Sequence, residues 1–148
     1  MTPLRRRLLL PVIRQTRPIA FTPRVCNYTT GAPATPKKYN FTSISSLVQS
    51  PSAKTVLVDV REPSEFSAGA IPGAINLPIA SAPDALSLPP DEFEDRFGFQ
   101  KPEKSSELVF YCKAGIRSAA AARLALQEGY EHVGEYPGSW MDWVKEGK

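Results

Sequence analysis

Residues 107–128 read ELVFYCKAGIRSAAAARLALQE, and the change of pattern inside them decides the fold. Glu107 to Tyr111 is a compact apolar and aromatic run, the composition of a strand buried on both faces. From Ser118 the chain turns to alanine, leucine, arginine and glutamine, the strongest helix-forming stretch in the protein, until Gly129 ends it. A buried strand that passes through a short loop into a helix is the building unit of a parallel sheet. In such sheets reactive groups collect at the carboxyl ends of the strands, and Cys112 stands at this one.

Working outward, Thr55 to Val60 (TVLVDV) reads as a second buried strand. Tyr39 to Gln49 reads as a short strand followed by a short helix with Thr42 or Ser43 as its N-cap, and Ser64 to Ala68 as a helix capped by Ser64. Ile71 to Pro78 is a turn leading into a brief strand that a proline ends, and Asp91 to Phe97 is an acidic amphipathic helix. A short strand near His132 and a helix around Trp140 to Lys145 complete the order. The alternation predicts an α/β fold, a central parallel sheet of about five strands with helices on both faces. Trp140 and Trp143, at helical spacing, are expected to anchor the core. Phe93, Phe97 and Phe99 could pack over the acidic helix or rim the mouth of a site.

The 148 residues, 42% of them hydrophobic, are enough for one core. Two cysteines, Cys26 and Cys112, and a single histidine, His132, cannot build a disulfide framework or a thiolate metal site, so neither metal nor cofactor is expected. The apolar run from Leu8 to Ile13 contains Pro11 and falls far short of the roughly 20 residues that span a bilayer, so no membrane insertion is expected. Charge divides the chain sharply. Residues 1–58 hold nine basic residues and no acid, whereas residues 59–148 hold nine basic residues and all fifteen acids. An arginine-rich, acid-free start with hydroxyl residues has the composition of an organellar transit segment; prolines at positions 3, 11, 18 and 23 limit any helix there to short pieces. Residues 1–36 are therefore read as a mitochondrial targeting segment and linker, and residues 37–148 as the working domain. Its removal would take Cys26 with it and leave one thiol. From Lys37 onward acids outnumber bases, which argues against a nucleic-acid partner.

The Cys112 loop carries the chemistry. A thiol placed between a strand end and a helix start faces backbone N–H groups that the helix cannot satisfy, together with the positive end of its dipole. Lys113 and Arg117 add two cations nearby, so the thiol is expected to ionise below its ordinary range without a separate base. Gly115 gives the loop the one position able to adopt positive φ or to admit a close approach. His132 is expected to be a solvated surface residue.

Four stretches together resemble the rhodanese family, specifically its single-domain thiosulfate sulfurtransferase type, over essentially everything after the linker. They are Asp59-Val60-Arg61-Glu62, Ile71-Pro72-Gly73-Ala74-Ile75-Asn76, the loop from Cys112 to Arg117, and Gly138-Ser139-Trp140-Met141-Asp142-Trp143. The chain departs from the family pattern at Ala70, commonly histidine, and at Gly138-Ser139, commonly two glycines; both lie outside the reactive loop. The resemblance implies a rhodanese-like fold. It also implies a sulfane sulfur transferred from thiosulfate, or from a persulfide donor, to cyanide or a thiol such as glutathione through a persulfide on Cys112. The backbone of Lys113, Ala114, Gly115, Ile116 and Arg117 would surround the carried sulfur, with Lys113 and Arg117 holding the anionic donor. Asp59 and Arg61 would tie neighbouring loops together in support, and the protein would act as a monomer on small molecules.

Related cysteine loops serve phosphatases and arsenate reductases, but those are longer between cysteine and arginine than the four residues found here. A tighter ring suits one sulfur better than a tetrahedral oxyanion. A non-catalytic rhodanese-like binding module is the other alternative, against which Cys112, Gly115 and Arg117 weigh.

Overall fold

The structure, a computed structural model, describes residues 35–147. The targeting segment and linker read at residues 1–36 lie outside the described residues except for Thr35 and Pro36, as does Cys26.

Among the described residues ten helices and strands alternate: β1 (Lys37–Lys38), α1 (Phe41–Gln49), β2 (Thr55–Asp59), α2 (Pro63–Ser67), β3 (Ile75–Asn76), α3 (Pro90–Phe97), β4 (Glu107–Tyr111), α4 (Ile116–Gln127), β5 (His132–Glu135) and α5 (Ser139–Glu146), with one 3-10 turn at Ala85–Ser87. The five strands form one sheet in the order β1-β5-β4-β2-β3, every pairing parallel. β4 and β2 lie inside the sheet and run in register from Thr55 opposite Glu107 to Asp59 opposite Tyr111. Their apolar runs suit this position because both faces are covered.

The pleat sends alternate side chains to opposite faces. Val58, Leu108 and Phe110 pack on one face with Phe93 of α3 and Ala121, Ala122 and Ala125 of α4. Leu57, Val109 and Tyr111 pack on the other with Ile44 of α1, Tyr136, Trp140 and Trp143. The small residues of α4 let that helix lie close against the central strands, which sets the position of its amino end. Phe93 is fully buried, with its ring centroid 4.8 Å from that of Phe97 and 5.4 Å from that of Phe99. These rings therefore form part of the core beneath α3.

Three helix starts differ from the sequence expectation. α1 begins at Phe41, which packs its ring 5.4 Å from Trp143, and the cap is Asn40 in place of Thr42 or Ser43; its side-chain oxygen accepts from the Ser43 N–H at 2.9 Å. α2 begins at Pro63 and is capped by Glu62 in place of Ser64, because proline's fixed φ suits the first helical position. α4 begins at Ile116, two residues before Ser118, because Gly115 at φ 91° turns the chain directly into the helix. Ile116 and Arg117 are thereby helical residues. The first strand is also displaced, occupying Lys37–Lys38, although the Tyr39 N–H still donates to the Glu135 carbonyl at 2.8 Å.

Candidate active site

Cys112 leaves the carboxyl end of β4 and is 1% exposed. Its sulfur touches polar groups even at this depth. The Gly115 N–H donates to Sγ at 3.1 Å, and the hydroxyls of Ser118 and Ser139 lie 3.7 and 3.8 Å from it. Two elements supply this ring. The left-handed Gly115 folds the loop back over the thiol, and a Cβ there would stand 2.4 Å from the Pro137 carbonyl oxygen. The amino end of α5 also holds the loop: Trp140 N–H donates to the Cys112 carbonyl at 2.9 Å and Met141 N–H to the Lys113 carbonyl at 3.1 Å.

Burial pushes the Cys112 thiol up, but the backbone and hydroxyl of Ser118, the backbone of Ala114 and the Ser139 hydroxyl outweigh it, so the thiol titrates below its ordinary value. The direction expected from the sequence holds; the source differs. Amides and hydroxyls in contact with the sulfur lead the stabilisation, where the sequence pointed also to Lys113 and Arg117.

Those two cations are placed unequally. Arg117 donates to both carboxylate oxygens of Glu65 on α2, at 2.8 and 3.1 Å, so much of its charge is already answered. The Arg117 bond draws the Glu65 carboxyl down to about 2, against the opposing effect of burial. Lys113 is exposed and makes no ion pair among the described residues. Ala114 is exposed in the loop, and Ile116, at the first position of α4, is 83% exposed.

Asp59 and Arg61 form a buried pair beside the loop, with Arg61 Nη2 donating to Asp59 Oδ2 at 2.6 Å. The same guanidinium donates to the Gly69 carbonyl at 2.7 Å and lies 4.8 Å from the centroid of the Trp140 ring. It thus joins β2, the segment after α2 and α5 in one charge-assisted knot. His132, an exposed residue, opens β5 opposite Glu107, at the amino end of the sheet away from the thiol. Among the described residues no group of three histidine, cysteine, aspartate or glutamate side chains could hold a metal ion.

Sequence reasoning missed Glu65, Ser118 and Ser139. For Glu65 the available signal was a glutamate in the first turn of α2, where its carboxylate also accepts from the Glu62 N–H at 3.3 Å. Ser118 directly follows the cysteine loop, and Ser139 is the departure from the glycine pair in the last motif.

A five-stranded parallel α/β sheet with a thiol ringed by amides and hydroxyls at a central strand end defines a strand-end cysteine-loop protein. The family model described as "Rhodanese-like domain" matches residues 43–146. The chain is 46% identical over 112 residues, 76% of this chain and 75% of the relative, to "Thiosulfate sulfurtransferase RDL2, mitochondrial" of Saccharomyces cerevisiae. It is 45% identical over 111 residues, 75% of this chain and 80% of the relative, to the "Thiosulfate:glutathione sulfurtransferase" of the same organism. The solved structure of the S. cerevisiae single domain sulfurtransferase RDL2 matches at a TM-score of 0.74 and 46% identity, covering 81% of this chain and 95% of that one. The chain belongs to the rhodanese family.

Proposed function

We propose that this protein is a thiosulfate sulfurtransferase in which Cys112 carries the moving sulfur as a persulfide. The observation that carries the reading is the Cys112 sulfur at the end of β4, accepting the Gly115 N–H at 3.1 Å inside a ring that favours its anion. The names of the relatives support both the donor and a thiol acceptor.

In the first half-reaction the Cys112 thiolate attacks the outer sulfur of thiosulfate. A bond forms between the two sulfurs, the bond to the sulfonate sulfur breaks, and its electron pair leaves with sulfite. The product is an anionic persulfide, so the loop needs donors of hydrogen bonds but no acid. Lys113, exposed at the loop, attracts the dianionic donor, while Arg117 has a smaller share because Glu65 holds it. The Gly115 N–H already donates to the Cys112 sulfur, and with it the backbone of Lys113, Ala114, Ile116 and Arg117 would surround the carried sulfur. In the second half-reaction a thiolate such as glutathione attacks the outer sulfur and releases Cys112 as thiolate. Asp59 and Arg61 support the loop and touch neither reactant. In this reading the protein acts as a monomer on small molecules.

The working domain is residues 37–148, and residues 1–36 direct it to mitochondria. The acid-free basic start supports this, as do the mitochondrial names of two relatives. A fluorescent fusion with and without residues 1–36 tests it, since equal distributions would refute the targeting role.

The reaction is tested on the full chain. Thiosulfate alone should add about 32 Da, one sulfur, to the protein, and a reductant should strip it. Thiosulfate with cyanide should yield thiocyanate, and Cys112→Ser should abolish both results. Thiocyanate formation that survives Cys112→Ser would refute the cysteine's role, and hydrolysis of a generic phosphate ester without thiocyanate would refute the reaction.

A further inference from the structure

Ser139 is the one described residue other than glycine that adopts positive φ, at 55°. Side chains rarely occupy this left-handed region because Cβ crowds the following carbonyl, and a serine there indicates that something about its side chain is retained at the expense of backbone comfort. The residue is completely buried. Its hydroxyl sits between two elements: Oγ accepts the Cys112 N–H at 3.1 Å and donates to the Tyr136 carbonyl at 2.8 Å, with the Cys112 sulfur 3.8 Å away.

We propose that Ser139 is a positioning residue for the sulfur chemistry, its hydroxyl fixing the height of Cys112 in the loop and turning its proton to the sulfur when that sulfur is anionic. A hydroxyl has one proton and two lone pairs. With the proton on the Tyr136 carbonyl, a lone pair receives the Cys112 N–H and the sulfur gains nothing. Rotation about the Cβ–Oγ bond swings the proton to Sγ while a lone pair still faces the Cys112 amide. The neighbouring Trp140 and Met141 N–H groups hold the carbonyls of Cys112 and Lys113, so the backbone does not have to move for the proton to turn. Depression of the Cys112 titration, to which the Ser139 hydroxyl contributes, agrees with this geometry. The strained serine thus combines two tasks that a glycine at the same φ could not perform: it satisfies a buried amide and places a rotatable donor beside the thiolate.

The inference rests on the reading of Cys112 as the sulfur carrier, and the test separates the two. All proteins are full chains carrying Cys26→Ser, so that Cys112 is the remaining thiol. Ser139→Gly removes the hydroxyl and relieves the backbone, whereas Ser139→Ala removes the hydroxyl and keeps the strained φ. The readouts are the pH dependence of Cys112 alkylation, the rate of sulfur loading from thiosulfate at neutral pH by mass spectrometry, and the thermal midpoint. Both variants should titrate at higher pH than the parent and load sulfur about tenfold more slowly, as loss of one hydrogen bond to a charged group implies, with the glycine variant the more stable of the two. An equal defect in chemistry at unequal stability supports the proposal. Parent-like titration and loading in Ser139→Gly would overturn it, including where Ser139→Ala fails to fold. A parent that gains no sulfur from thiosulfate would instead refute the Cys112 reading and the proposal together.

Discussion

Arg117 of α4 and Glu65 of α2 meet in a two-pronged ion pair, 52 residues apart in the chain, with N–O distances of 2.8 and 3.1 Å. The pair fastens the helix that begins behind the cysteine loop to the segment that follows β2. It also gives the loop's arginine a partner of its own, which leaves Lys113 as the loop cation without an ion pair among the described residues.

The Glu65 carboxyl titrates at about 2 in the folded protein, well below its unfolded value, so its stabilisation is complete above the ordinary carboxylate range and disappears as pH falls toward 2. Glu65→Gln should therefore lower the unfolding midpoint in denaturant at about pH 7, and the gap from the parent should close as the pH approaches about 2. A gap that stays constant over this range would remove the ion pair as its source.

Lys113→Ala should raise KM for thiosulfate by about fivefold, leave KM for a neutral persulfide donor nearly unchanged, and lose its effect at high salt, since the side chain acts through an exposed charge. Steady-state kinetics with the two donors at two ionic strengths decide this. Equal increases for both donors would mean that Lys113 shapes the loop instead of attracting the anion.

Gly115→Ala combines a positive φ with a Cβ placed 2.4 Å from the Pro137 carbonyl oxygen, so the loop must shift. We expect destabilisation of at least about 1 kcal/mol, with sulfur loading impaired because the Gly115 N–H moves away from the sulfur. Urea unfolding and single-turnover loading measure the two effects. A parent-like result in both would show that the loop has another way to close.

Arg61→Met should leave the buried Asp59 carboxylate without its partner and cost about 3–5 kcal/mol in urea unfolding. Adding Asp59→Asn should restore part of that loss, giving a double variant more stable than the sum of the singles by about 1 kcal/mol or more. Strict additivity would contradict a coupled pair.

The central strands, the acidic helix and the cysteine loop were legible because each announces itself within a few neighbouring residues. ELVFY and TVLVDV contain the apolar, β-branched and aromatic side chains that a doubly covered strand requires, and the alanines after Ser118 can form little other than a closely packed helix. The helix caps at Asn40 and Glu62 were less legible. Several nearby residues can cap, and packing of Phe41 on Trp143 or the fixed φ of Pro63 selects among them.

The primary sequence was thus sufficient for the α/β class, the βα unit at Cys112 and the downward direction in which its thiol titrates, since period, propensity and loop composition act between neighbours along the chain. It could not reveal that Glu65 claims Arg117, that Arg61 knots Asp59 to Gly69 and Trp140, or that Ser139 accepts the Cys112 amide across 27 residues. Those partnerships arise when a parallel sheet brings the carboxyl ends of β2 and β4 together with the start of α5. Burial then leaves each polar group there able to choose only among the partners that the fold has delivered.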